Sequence, residues 1–231
     1  MKAIIGDVHG CYHTLIELYN TIVTKYPRID IYCVGDLVDR GYYSAETVQF
    51  VIDQKIKCVL GNHDCMYYYY FSDPAHPVSQ LWDINGNSAT LQSYMKHTEM
   101  LDAHIAYIGQ LPLFYDSPDC LISHAGISLK AGKELGLSRE YDINKIEKYF
   151  FDRLSETDGM LWNRGKLFNI GKIQVVGHTH RLEVVYHEQT RGLYIDTGVY
   201  AMNKLSAVII EDGEFTDAIS VPTIPIDVSK S

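Results

Sequence analysis

Residues 3–10 read AIIGDVHG, residues 33–41 read CVGDLVDRG and residues 59–64 read VLGNHD. In each stretch a short apolar run stops at a glycine and gives way to Asp, His or Asn. The apolar run at 2–5 predicts a buried strand, and so do Ile29–Val34 and Ile56–Leu60. Between the first two, Leu15, Leu18, Tyr19, Ile22 and Val23 fall at helical spacing and close at Pro27. Between the second and third, Ala45–Ile52 reads as a helix. The order strand–helix–strand–helix–strand implies βαβ units with parallel pairing. Ligand sites of such sheets lie beyond the carboxyl ends of the strands, where the polar clusters stand.

Working outward, segments 87–97, 100–110 and 144–155 are expected to be helical, the first capped by Asn87. Strands are expected at 120–123, 173–176, 182–187, 192–196, 204–210 and 214–220. This strand-rich second half favours an α/β fold with a central mixed β-sandwich and helices outside, rather than a simple Rossmann sheet. Without an internal repeat, low-complexity tract or Pro/Gly/Ser linker, residues 1–231 are read as one domain.

Hydrophobic residues make up 46% and charged residues 21%, as in soluble globular chains. The net charge of -9, without a lysine-rich run, argues against stable nucleic-acid binding or a generic hold on anionic membranes. No stretch approaches the roughly 18 apolar residues of a membrane span. The apolar run before Gly6 is too short for a secretory h-region, so a cytoplasmic location is expected. Cys11, Cys33, Cys58, Cys65 and Cys120 are scattered without a CxxC pair, which suits reduced, mostly buried thiols. No apolar surface stripe indicates an oligomeric state.

Two further clusters, Ser123–Gly126 (SHAG) and Gly177–His180 (GHTH), follow later strands. Five strand ends thus present Asp, His or Asn in glycine-flanked loops. Alone, DxH, GNHD or GHTH is a weak signal. Together the clusters resist a packing explanation, because buried aspartates without a cation would be unpaired charges. Imidazole with carboxylate suits divalent Mn, Fe, Zn or Ni better than Ca. The absence of cysteine ligands argues against a structural zinc site. Asp7 and His9 can reach one ion from an irregular turn, Asp36 can bridge, and Asn62, His124 and His178 can complete a second site.

The motifs GDVHG, GDLVDRG, GNHD, HAGI and GHTH, in that order, resemble the phosphoprotein phosphatase family of calcineurin-like metallophosphoesterases. The likeness is greatest to its small phage-lambda-type members. It extends to GDVHGCY at the start, Trp82 with Asn85–Asn87, Trp162–Arg164 and Tyr194–Gly198, over about residues 3–210. The resemblance implies a β-sandwich flanked by helices with the site at its edge. It implies Asp7, His9 and Asp36 as ligands of one metal and Asp36, Asn62, His124 and His178 as ligands of the other. It also implies His63 as the acid that protonates the leaving oxygen, oriented by Asp39, and Arg40 and Arg164 as the phosphate clamp. Asp64 departs from the glutamate usual in those phosphatases, and His180 from a common proline. GDVHGCY, GNHD and HAGI also resemble bacterial diadenosine tetraphosphate hydrolases, which tend to carry GDLVARG without the aspartate standing here as Asp39.

The expected chemistry is hydrolysis of phosphate esters by a hydroxide bridging two divalent ions, Mn²⁺ foremost. The expected substrate is a phosphorylated protein or a small phosphate ester. The preferred reading is a broad-specificity serine/threonine protein phosphatase, with phosphotyrosine as a further candidate substrate. The alternatives are a dinucleoside polyphosphate hydrolase or nucleotide phosphatase and, remotely, a non-catalytic metal-loaded module. Asp196 reads as a hydrogen-bond support, His180 as either a support or a loop residue, and Tyr67–Tyr70 as either a groove lining or a core-packed helix.

Overall fold

The first strand alternates between two buried faces, which sets the layering of the molecule. In β1 (Lys2–Ile5) the side chain of Ile4 enters one apolar cluster, while Ala3 and Ile5 enter another on the opposite face. A strand buried on both sides carries a continuous apolar run, as this one does. The computed structural model describes residues 1–138 and 141–229.

The chain continues through α1 (Tyr12–Lys25), β2 (Asp30–Cys33), α2 (Ser44–Asp53), β3 (Lys57–Cys58), α3 (Asn62–Ser72), α4 (Ser88–Tyr94) and α5 (Leu101–Ile108). Next come β4 (Phe114–Asp116), β5 (Cys120–Ser123), α6 (Leu129–Glu134), α7 (Ile143–Phe151) and β6 (Ile173–Val176). Hairpin-like strands close the fold: β7 (Val185–His187), β8 (Gly192–Tyr194), β9 (Lys204–Glu211) and β10 (Glu214–Pro222). One sheet has the order β10-β9-β1-β2-β3, the other β4-β5-β6-β8-β7. β1, β2 and β3 run parallel, as do β5, β6 and β8, with antiparallel strands outside both sets.

Ile4, Val34 and Val59 from the first sheet share a cluster with Ile122, Val175 and Leu193 from the second. The opposite face of the first sheet packs Ile5 and Cys33 with helix residues Leu15, Leu18 and Val48. The fold is therefore the expected α/β sandwich of mixed sheets flanked by helices. All five cysteines are free and buried. Among the described residues no helix is long and apolar enough to cross a membrane.

Three local expectations change. The third strand is only Lys57–Cys58, because the Leu60 N–H turns away to donate to Pro112 C=O at 2.8 Å. Asn87 occupies the position before α4 but does not cap it. Its backbone is already helical, and its side-chain amide donates to Asp83 Oδ1 at 3.0 Å. The tyrosine run belongs to α3, whose residues 62–67 are all buried, so the segment lacks the polar stripe that marks a surface helix.

α4 and α5 are joined to α2 through a buried imidazole. His104 is fully buried; its Nε2–H donates to Gln49 Oε1 at 3.0 Å, and its Nδ1 accepts from Tyr94 O–H at 2.9 Å. Burial pushes its pKa down to about 4, so the folded protein keeps it neutral. The unfolded chain protonates it near the ordinary value of about 6.5. Stability from this group is therefore complete above that value and is lost as pH falls toward 4. Urea unfolding at pH 7 and pH 4.5 should show a smaller acid loss for His104→Gln than for the wild type. Equal losses would assign the acid sensitivity elsewhere.

Candidate metal centre

The carboxyl ends of both parallel strand sets meet at one edge of the sandwich. β1 leads to Asp7 and His9, β2 to Asp36, Asp39 and Arg40, β5 to His124 and β6 to His178. Asn62 and His63 sit in the first turn of α3, just beyond β3. The loops are tied by their backbones: the Val8 and His9 N–H groups donate to Asp36 C=O at 3.2 and 2.8 Å, and Gly177 N–H to His124 C=O at 2.9 Å. Among the described residues ten non-glycine residues have positive φ, and half of them are site residues: His9, Asp36, Asp39, Arg40 and His178. Such backbone persists only where surrounding contacts enforce it.

Asp36 stands at the centre. Its Oδ1 accepts the His63 N–H at 2.9 Å and lies 3.5 Å from His124 Nε2. Its Oδ2 lies 3.4 Å from His9 Nε2. Asn62 Oδ1 is 2.8 Å from both His124 Nε2 and His178 Nδ1. Asp7 accepts the His178 N–H on its two oxygens, at 3.0 and 3.3 Å. Two triads of metal-capable atoms each lie within 4.8 Å of one another: His9, Asp36 and His63, and Asp7, Asp36 and His124. Asp36 belongs to both. In the expected sets Asp36 is likewise shared, with Asp7 and His9 beside it at one ion. Asp7 accepts the His178 amide, while the Arg40 guanidinium spans His9 and His63.

Proton placement tests whether these residues suit a cation. His9 Nδ1–H donates to Val38 C=O at 3.0 Å and His124 Nδ1–H to Val34 C=O at 2.8 Å. Each neutral ring therefore turns a lone pair on Nε2 toward the site. Burial holds the pKa of His9 well down, with the Arg40 charge acting in the same sense, and lowers that of His124. Burial, with His124 second, pushes His178 down to about 3. Lone pairs on His124 Nε2 and Asn62 Oδ1 thus face each other, and His178 Nε2 is buried without a partner. Burial lifts the Asp7 carboxyl well above its usual range, and the charges of Asp196 and Asp36 add to the lift. A cluster of acceptors and crowded carboxylates of this kind fits divalent cations.

Backbone approach is equally specific. A Cβ at Gly177 would overlap Asp7 Oδ1, and one at Gly61 would overlap the backbone and carboxylate of Asp36. Glycine is therefore required at both positions by space.

Beside this cluster, His63 Nδ1 meets Asp39 Oδ2 at 2.6 Å. Asp39 is fully buried and also accepts Trp82 Nε1–H at 2.8 Å and Thr90 O–H at 2.7 Å. Trp82 is in turn enclosed by the rings of Tyr67, Tyr70 and Phe71. Arg40 reaches His9 Nε2 at 2.9 Å and His63 Nε2 at 3.0 Å, and its guanidinium stacks on Tyr200 at 4.1 Å. Among the described residues no carboxylate lies within ion-pair distance of Arg40. Arg164 is exposed, on a loop whose neighbour Asn163 donates to Ala125 C=O at 3.2 Å beside His124.

Asp196 is buried and accepts the Gly198 N–H at 3.0 Å. His180 is exposed and packs over Gly198. Asp64 Oδ1 accepts the Leu37 N–H at 2.8 Å and its Oδ2 the Gly61 N–H at 3.1 Å, tying two of the loops together. Burial, with the Asp36 charge second, raises its pKa to about 7. Thr90 and Tyr200 carry no motif and escape a sequence reading, because only packing brings them to Asp39 and Arg40.

A model of the calcineurin-like phosphoesterase family matches residues 3–207. The symmetrical bis(5'-nucleosyl)-tetraphosphatase of Vibrio campbellii is 32% identical over 127 residues, 54% of this chain and 44% of that protein. The PP2A-like serine/threonine-protein phosphatase PPG1 of Candida albicans is 37% identical over 68 residues, 27% of this chain and 16% of that one. The alignments thus span less than half the length of these curated relatives. A cold-active protein-tyrosine phosphatase from a psychrophilic Shewanella superposes with TM-score 0.63 at 17% identity, covering 97% of this chain and 81% of that one. At that identity the likeness concerns the fold.

Gly177→Ala is expected to lower stability by about 1–3 kcal/mol, the usual range for overpacking. Denaturant unfolding measures it; an unchanged midpoint would show that the Asp7 carboxylate can move aside.

Proposed function

Because the chain belongs to the calcineurin-like phosphoesterase family, we propose that it hydrolyses phosphate monoesters, foremost phosphoserine and phosphothreonine in proteins, with phosphotyrosine tolerated. The Asp39–His63 contact carries this reading. An ester leaves as an alkoxide, a strong base that needs a proton in the transition state. A phosphate expelled from an anhydride has a second pKa of about 6 and departs without that help. A buried carboxylate locked behind His63 by Trp82 and Thr90 favours the ester.

Asp7, His9 and Asp36 would hold one divalent ion, and Asp36, Asn62, His124 and His178 a second, with Mn foremost and Fe, Zn or Ni served by the same donors. When bound, such a pair supplies Lewis-acid stabilisation of the phosphoryl oxygens and an activated water. The chain's own groups do the rest. Arg40, kept planar against Tyr200, offers two donors to the phosphoryl oxygens, and Arg164 offers a second fork from the opposite loop. Asp39 fixes His63 through Nδ1; once Arg40 turns from His63 Nε2 to the phosphoryl group, a protonated Nε2 would deliver its proton to the leaving oxygen. In this reading residues 1–231 act as one catalytic domain, supported by the convergence of loops from both sheets. The surface charge of -9 suits a cytoplasmic enzyme without nucleic-acid or membrane partners.

A second reading, hydrolysis of dinucleoside tetraphosphates, is favoured by the name of the Vibrio campbellii relative. Turnover of phosphopeptides, p-nitrophenyl phosphate and diadenosine tetraphosphate with Mn²⁺ separates the two. A clear excess on the dinucleotide would replace the first reading.

Removal of Asp39 probes the proton path. Asp39→Asn should cut kcat on a phosphoserine peptide by roughly 10²- to 10⁴-fold, the usual worth of general acid catalysis. Its effect on p-nitrophenyl phosphate, which has a good leaving group, should be much smaller; equal losses on both would argue against proton donation.

Metal content probes the ligand roles. Asp36→Asn should lose both ions in elemental analysis after reconstitution, whereas His63→Asn should retain both and lose turnover. Two ions in the first variant, or metal loss in the second, would contradict the assignment.

A further inference from the structure

A pocket of about 450 Å³ opens beside Arg164, and its basic residues are not used above. It is lined by Arg164, Lys166, Arg181, His187 and Tyr194, with Glu188 as its only acidic side chain. Among the described residues neither Lys166 nor Arg181 has a carboxylate within ion-pair distance. In a chain of net charge -9, three cations around one pocket concentrate positive potential locally.

The walls are held in place by the same loops that carry the metal centre. Lys166 C=O accepts the Leu129 N–H at 2.8 Å, and the Gly165 N–H donates to Asn163 Oδ1 at 2.9 Å, on the residue that reaches the His124 loop. Opposite, the Arg181 N–H donates to Asp196 C=O at 2.9 Å, and its guanidinium lies over Tyr194, 5.5 Å from the ring centre. Tyr194 is buried at the end of β8. The cationic side chains thus rise from fixed backbone, so an anion that binds has to order the side chains but not the loops. Arg164 faces both regions: its charge is felt at His178 and Tyr200 on one side, and it lines the pocket on the other.

We propose that the pocket formed by Arg164, Lys166 and Arg181 is a second anion subsite, which takes an additional phosphate or carboxylate group of the substrate whose scissile phosphate lies at the metal centre. The subsite rests on the phosphoesterase reading for its purpose, but its ability to bind an anion does not. Two sources present this chemistry: an acidic or second phosphorylated residue beside a phosphoserine, or the distal phosphates of a nucleotide. Guanidinium and ammonium groups recognise both by charge-assisted hydrogen bonds. Arg164 would then sit between the two anionic groups.

The test separates binding from turnover. Inorganic pyrophosphate is titrated calorimetrically into chelator-treated, metal-free protein at low ionic strength. The wild type should bind it, and Lys166→Ala with Arg181→Ala should weaken binding by about tenfold or more, since hydrogen bonds to charged groups carry that much. Both residues lie at the surface, and an unchanged thermal midpoint confirms that the variant folds. No heat with the wild type, or identical binding by the variant, overturns the subsite whether or not the enzyme turns over.

With Mn²⁺ restored, the double variant should raise KM about tenfold for substrates carrying a second anion and leave p-nitrophenyl phosphate unchanged. A phosphoserine peptide with a neighbouring glutamate, a neutral analogue and adenosine triphosphate identify the source of that anion. An equal change on p-nitrophenyl phosphate would place the two residues in the catalytic grip itself and overturn the separate subsite. Failure of the wild type on every ester, with pyrophosphate still bound, would instead remove the function proposed above.

Discussion

One carboxylate, Asp36, holds the site together. Its two oxygens face histidines from different strands, its Oδ1 receives the first turn of α3, and its carbonyl receives the loop after β1. It does this from a left-handed backbone conformation, with Gly61 pressed against it so closely that no side chain fits between. Strain of that kind costs about 1–3 kcal/mol per residue and survives only where many contacts enforce it. Here the enforcing contacts come from both sheets, so the geometry of the cluster depends on the sandwich being assembled.

Burial then determines the protonation pattern. The imidazoles of His9, His124 and His178 are held neutral by desolvation, two of them with their protons parked on backbone carbonyls. The carboxylate of Asp7 is pushed up by burial and by its acidic neighbours. In water each group would be ordinary. Enclosed together, they form a set of converging lone pairs that a divalent cation fits, with separate support for His63. That support is the Asp39, Trp82 and Thr90 network, backed by Tyr67 and Tyr70 of α3.

The distribution of charge adds a further layer. The chain is acidic overall, yet Arg164, Lys166 and Arg181 line one pocket. A negative surface with a local positive mouth discourages generic association with polyanions while still attracting small or flexible anionic groups.

Much of this was legible in the amino-acid order, because apolar runs that end at glycine and give way to Asp, His or Asn state both a strand and a strand-end site. The parallel core, the mixed sandwich and the residues that converge at the edge follow from that pattern. Space and contact decided the rest. Trimming of the third strand depends on Pro112, which is distant in sequence, and α3 hides its helical period because its first six residues are buried on every side. The packing of His9 against His63, Thr90 behind Asp39 and Tyr200 under Arg40 are contacts across the fold. Local sequence carries periodicity and turn chemistry, which specify elements. Which side chains meet at the end of those elements depends on packing between distant segments, and only the folded chain settles it.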